Sequence, residues 1–115
     1  MLPRLNRLKK RKDFEKIVAV KRFFEEEILF LKKIKNNLNY SRIGFIVSQK
    51  ISKKAVIRNK IKRRLREIIR LNLPIIKEGY DFIFFTKKGI ENKKFSELKE
   101  IIKKLLQKAR LIKNL

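Results

Sequence analysis

Apolar residues recur along the chain with two different periods, and the switches between them mark out the elements. Phe14, Ile17 and Val18 share one face of a short helix beginning near Lys12, with Leu8 placed to pack across its entry. Between Phe23 and Ile34 the period drops to two. Ile28 and Phe30 fall on one face, Leu29 and Leu31 on the other, which predicts a strand. Asn36, Asn37 and Asn39 mark a turn, and Tyr40 to Lys50 reads as a second strand pairing antiparallel with the first. From Ser52 to Arg70 neither Pro nor Gly intervenes and Ser52 can serve as N-cap, so a helix is expected. On it Ile57, Ile61, Leu65, Ile68 and Ile69 gather into one apolar stripe. A connection containing Pro74 leads to a strand from Tyr80 to Thr86, with Phe82, Phe84 and Thr86 on one face and Ile83 and Phe85 on the other. After a basic loop, a last helix opens near Ser96 and carries Leu98, Ile101, Ile102, Leu105, Leu106 and Ala109 at core spacing. Residues 1–11 read as a basic, extended arm, and residues 110–115 as a disordered tail with nothing of their own to order them. Helix, strands, helix, strand and helix in that order predict a single α+β domain over residues 1–115, helices covering at least one sheet face.

Charge changes the picture on the long helix. Opposite its apolar stripe lie Asn59, Lys62, Arg63, Arg66 and Arg70, with Lys60 on the flank and only Glu67 negative. A solvated helix face normally mixes signs at i,i+4, whereas Lys62–Arg66 and Arg66–Arg70 are like-charge pairs that cost stability. Such a ridge calls for a polyanion. Arg58 and Arg64 fall within or beside the apolar stripe: either the helix begins late or these arginines line a groove.

Composition bounds the chemistry. The chain has 115 residues, 34 Lys and Arg against 11 Asp and Glu, and a formal net charge of +23. Nucleic acid is the partner such a charge indicates. Hydrophobic content of 43% with nine Phe supports a packed core. With no Cys and no His, thiol and imidazole catalysis, disulfides and the usual zinc sites are excluded. The one carboxylate cluster, Glu25, Glu26 and Glu27, lies on strand-like sequence that sends neighbours to opposite faces, so it reads as local charge balance and not as a metal site. Apolar runs are too short for a membrane span and the N-terminus lacks a signal-peptide core, so a cytoplasmic protein without membrane contact is expected.

The stretch KKAVIRNKIKRRLREIIR resembles the signature of the bacterial ribonuclease P protein subunit family, with Arg58, Asn59, Lys60, Lys62, Arg63 and Arg66 on its pattern. Asn6, Arg7, Leu8, Lys9 and Lys10, followed by Asp13 and Phe14, are similar to that family's start. The resemblance implies a small mixed four-stranded sheet with helices, like a ribosomal small-subunit protein domain. It implies a subunit that assists removal of the 5′ leader from precursor tRNA. There the RNA subunit performs the hydrolysis and, with the substrate, holds the Mg2+, and the free protein is a monomer that binds no metal itself. It further implies that Asn59, Lys62, Arg63, Arg66 and Arg70 dock on the catalytic RNA. A groove of Phe14, Val18, Ile28, Phe30 and Thr86 would take the leader, with Arg58 and Lys60 between, and Arg7 and Lys9 as further candidates. From periodicity alone Phe14 is equally an ordinary core anchor. Ser52 stands where many relatives have Gly, Val18 where an aromatic is common, and Arg64 where an apolar residue is frequent. A structural RNA-binding protein of ribosomal type would carry the same basic surface without any part in cleavage, and activation of a catalytic RNA on precursor tRNA separates the two.

Overall fold

The computed structural model describes residues 2–113. Its helices are α1 (Arg11–Val18), α2 (Ala55–Asn72) and α3 (Phe95–Lys108), and its strands β1 (Phe24–Glu26), β2 (Leu29–Lys35), β3 (Arg42–Ile46) and β4 (Tyr80–Thr86). One four-stranded sheet results, in the order β1-β2-β4-β3. β1–β2 and β2–β4 are antiparallel, and β3–β4 are parallel. The fold is therefore α+β with a mixed sheet.

Two strand expectations need correction. The run from Phe23 to Ile34 is not one strand but a hairpin: Glu26 pairs with Leu29, and Glu27 turns the chain at a φ of 52°. No Gly or Asn signals this turn, so alternation read straight across it. The stretch from Tyr40 to Lys50 shortens to β3 and does not pair antiparallel with its predecessor. Both edges of β2 are taken, by β1 and β4, and the 18 residues of α2 supply the crossover that a parallel β3–β4 pair requires.

The strand faces divide the molecule. Leu29, Leu31, Ile43, Phe45, Phe82 and Phe84 lie under α2 and α3 in the main core. They meet Ile61, Leu65, Ile68 and Ile69 from α2, and from α3 the whole stripe predicted for the last helix. On the opposite face Leu8, Ile17 and Ile83 form a small buried apolar cluster, with Phe14, Ile34, Ile46 and Phe85 half-buried around them. The short α1 cannot roof the whole of that face.

The described residues of the arm and of the tail are both held against the body of the fold. Leu2 is buried in the main core, and Arg7 bridges parallel to Ile43 while the Leu8 N–H donates to the Ile43 carbonyl at 2.9 Å. The arm thereby covers the outer edge of β3, which would otherwise present unpaired backbone groups. At the other end Leu111 N–H donates to the Leu106 carbonyl and Arg110 N–H to that of Gln107, with Arg110 at a φ of 56°. This is a Schellman cap with Arg where Gly is usual, which explains why the sequence did not announce it. Ile112 then bridges to Ile76, and the Lys113 N–H donates to the Ile75 carbonyl. Residues 1, 114 and 115 of the expected arm and tail lie outside the described residues.

Asp81 is 2% exposed on β4. Arg42 forks onto it, Nε to Oδ1 at 2.9 Å and Nη2 to Oδ2 at 2.5 Å, and Asn36 donates to Oδ1 at 2.8 Å. The same guanidinium reaches Asp13 of α1 at 3.4 Å. Its hydrogen bond to Asp81 raises the Arg42 pKa above its ordinary value. One arginine thus fastens α1 to β3 and β4. Asp81→Ala removes both Arg42 bonds and one from Asn36 while leaving Arg42 near Asp13, so it should cost about 1–3 kcal/mol in urea denaturation. A loss below about 1 kcal/mol would show that water replaces the carboxylate.

Candidate nucleic-acid interface

The helix α2 begins at Ala55, with Lys54 in place of Ser52 at the N-cap position, two residues later than expected. Ser52 is not its N-cap: the Ser52 hydroxyl accepts the Lys54 N–H at 3.2 Å and closes the turn just ahead of it. The late start accounts for Arg58, which falls in the first turns and donates through Nη1 to the Ser52 carbonyl at 2.9 Å. It also displaces Ile57 from the apolar stripe. Ile57 is 36% exposed, because the first turn projects beyond the cover of the sheet.

Past that turn the cationic face is as the periodicity places it. Asn59, Lys60 and Arg63 are exposed, and Lys62, Arg64 and Arg66 are half-buried. Among the described residues none of the six has a hydrogen-bonding or ionic partner. Arg70 differs, since its Nη2 meets Glu67 at 2.5 Å and its charge is spent on the one carboxylate of the helix. That hydrogen bond holds the Glu67 carboxyl below the usual range. Arg66 is pushed below the ordinary arginine value, first by burial and then by the like charge of Arg7. The docked arm brings Arg7 there, its Nε donating to the Leu2 carbonyl at 2.8 Å. Self-repulsion is thus built into the folded state.

Next to this ridge a cleft opens between the arm, β3 and α2, lined by Arg7, Lys9, Phe14, Gly44, Lys62 and Arg66 among others. The Phe14 ring lies directly on Gly44: a Cβ there would come within 2.7 Å of its Cζ and 2.8 Å of its Cε1. Phe14 is half-buried against the small cluster under α1 and also lines the cleft. The two readings of Phe14, core anchor and groove aromatic, describe one position.

Further along the same face Phe30 stacks on Phe85 with centroids 4.6 Å apart, and Phe23 meets Phe30 edge-on at 5.7 Å. Lys32 stands 5.7 Å over Phe85 and Lys87 6.0 Å over Phe30. Lys32 also donates to the carbonyl of Val18, which is exposed at the end of α1. Ile28 and Thr86, expected in the groove, are not brought to this face. Ile28 packs against the main core from the hairpin turn. Thr86 pairs with Leu29 on the covered face and donates its hydroxyl to the Ile46 carbonyl at 3.1 Å. Phe85 and the exposed Phe23 take their places. Phe85 was legible in principle, since alternation sets it opposite Phe84, but only the β2–β4 register puts it beside Phe30.

The glutamates of the hairpin each have a lysine: Glu25 with Lys87 at 2.7 Å, Glu26 with Lys108 at 2.9 Å and Glu27 with Lys93 at 3.3 Å. The hydrogen bond from Lys87 lowers the Glu25 pKa below its ordinary value. Among the described residues there is no group of three or more His, Cys, Asp or Glu able to hold a metal ion. No helix among the described residues is long and apolar enough to cross a membrane.

A cationic helix beside a strip of aromatic rings and lysines defines an RNA-binding domain of the kind that tracks phosphates and stacks bases. The sequence profile of the ribonuclease P family matches residues 2–110. Ribonuclease P protein components of Alkaliphilus oremlandii and a Pseudanabaena species are 37% and 38% identical, over 94% and 97% of both chains in each comparison. The ribonuclease P protein of Staphylococcus aureus superposes with a TM-score of 0.84 at 25% identity, covering 94% of this chain and 98% of that one. That of Thermotoga maritima gives 0.79 at 33% identity, over 88% and 94%. The chain belongs to the ribonuclease P protein family and is the protein subunit of a ribonucleoprotein endonuclease.

The close seat of Phe14 on Gly44 can be tested directly. Gly44→Ala should force the ring aside and cost about 1–3 kcal/mol in denaturant unfolding. In a Phe14→Ala background the same substitution should cost almost nothing, and an equal cost in both backgrounds would contradict the contact.

Proposed function

We propose that the bare face of α2 docks on the catalytic RNA through Asn59, Lys62, Arg63 and Arg66, and that the aromatic side of the sheet accepts the 5′ leader of precursor tRNA as an extended single strand. The observation that carries this reading is the set of uncompensated cations on α2, which stop at a cleft holding Phe14. Folding places them together at a cost that a phosphate backbone would offset.

Phe14 and Phe30 are the proposed stacking residues, joined by Phe85 and Phe23, while Val18 supplies apolar surface at the end of α1. Arg7 and Lys9 line the cleft and would track phosphates there, and Lys60 would do so from the flank of the ridge. Arg58 holds the turn before α2, so its role is to position the helix start. Arg70, already paired with Glu67, contributes less to docking than the ridge ahead of it. Ile28 and Thr86 support the sheet from behind.

Ribonuclease P is a Mg2+-dependent ribonucleoprotein enzyme, and with no carboxylate set to spare the protein would leave those ions to the RNA subunit and the substrate. Its contribution is electrostatic and positional: it neutralises phosphate repulsion and holds the leader in line. We further take the free protein to be a monomer acting in the cytoplasm as one domain, without membrane contact.

Two substitutions test the division of labour. Arg63→Ala should weaken binding of the catalytic RNA and lower the salt slope by about one unit. Phe14→Ala should weaken binding of precursor tRNA by roughly 5- to 150-fold, the equivalent of about 1–3 kcal/mol for a stacked base, and leave mature tRNA unaffected. Equal losses with precursor and mature tRNA, together with a large fall in melting temperature, would reduce Phe14 to a core residue.

A further inference from the structure

Away from α2, the opposite edge of the sheet carries a second concentration of positive charge that the proposed docking does not use. A cavity of about 530 Å³ lies where the C-terminus of α3 meets β1 and β2. It is lined by Val20, Arg22, Phe24, Lys33, Lys108, Ala109 and Arg110, with no carboxylate among them. Lys108 is neutralised by Glu26. Arg22, Lys33 and Arg110 have no acidic partner among the described residues.

Lys33 sits at the centre of this corner, half-buried. Its ammonium donates to the Ala109 carbonyl at 2.6 Å and lies over two rings, Phe24 at 5.6 Å and Tyr80 at 5.0 Å. Burial pushes its pKa down, and the charges of Lys77, Arg22, Arg110 and Lys35 push it further. Arg22 stacks over the same Phe24 at 5.1 Å. Four cations line the pocket and Lys35 and Lys77 lie near it, and of the four lining it only Lys108 meets a carboxylate among the described residues.

We propose that this corner is a second phosphate-binding site, which grips a phosphodiester of an RNA segment distinct from those on α2 and in the aromatic groove. Three observations favour RNA backbone over other anions or a base. The aromatic faces in the corner are already covered by Arg22 and Lys33, so no open ring is left on which a base could stack. The remaining donors are guanidinium and ammonium groups, which bind phosphate oxygens without sequence preference. And the chain already belongs to an RNA-binding family, so the site extends the docking reading and rests on it. Because α2 packs on β3 and α3 on β1, the two basic surfaces stand at opposite edges of the sheet and cannot be served by one straight contact. The subunit would clamp RNA from two sides.

Arg110 supplies a variant that removes charge without threatening the fold. It occupies the left-handed position that closes α3, where Gly is the preferred residue, so Arg110→Gly should keep or raise the melting temperature. Combined with Arg22→Gln, it takes two charges from the pocket. The control is Lys99→Gln with Lys103→Gln, an equal loss of charge from the exposed outer side of α3. Affinity of the full-length protein for the catalytic RNA and for precursor tRNA is measured across a salt series. The pocket variant should bind at least one of the two RNAs several-fold more weakly, with the salt slope reduced by about 1.5 units for two lost contacts, and the control should fall short of both changes. If the pocket and control variants behave alike while Arg63→Ala is impaired, the second site is refuted and docking on α2 stands. If Arg63→Ala is unimpaired as well, both fall.

Discussion

Electrostatic repulsion is the constraint to which the rest of this structure answers. A chain with 34 basic and 11 acidic residues must fold against its own charge. It does so by using its acids as local clasps: among the described residues all but Glu91 and Glu100 meet a lysine or arginine. Those clasps are concentrated at the β1–β2 hairpin and on α1, with a further one between Lys113 and Glu78. Only Glu67 serves α2, and it is committed to Arg70. The bare face of α2 is therefore what remains after most carboxylates have been placed elsewhere in the fold.

The clasps also decide where the aromatic surface opens. Arg42, held by Asp81, reaches Asp13 and pins α1 across one part of the sheet, while Gly44 lets the Phe14 ring sit against β3. A longer or more central α1 would roof the Phe30–Phe85 stack. A short one anchored at a single corner leaves it open, and the arm that docks on β3 carries Arg7 and Lys9 to the mouth of the cleft. Fold and binding surface are joined at these few contacts.

What could be read from the chain follows from the range of each signal. Helical and strand periodicity are local, so α3, β4 and the buried stripe of α2 were legible almost residue by residue, and so was the cationic face. The bacterial signature from Arg58 to Arg66 is equally local, and the family followed from it. Signals that depend on pairing were not legible. The hairpin at Glu27 and the cap at Arg110 use left-handed residues other than Gly, which leave no mark in composition. The parallel partner of β3 is fixed by which strand edges are free, a global property. For the same reason alternation alone cannot tell that Ile28 and Thr86 lie off the face that carries Phe30, or that Phe85 lies on it.

The central claim is that the cationic surface is kept unpaired for a polyanion, at the expense of the free protein's stability. Thermal unfolding of the free chain in sulfate and in chloride at matched ionic strength tests it without any RNA. Screening acts equally in both salts, and the general exclusion of sulfate from protein surface acts equally on an Arg63→Ala/Arg66→Ala variant, whereas sulfate bound at the native cation sites adds stability only where those sites are intact, reaching about 2.7 kcal/mol at a hundredfold excess over the dissociation constant. The account predicts that the gain in melting temperature from chloride to sulfate, followed against concentration, is larger for this chain than for the variant. An equal gain in both would contradict it, and would make the bare face of α2 an ordinary solvated surface.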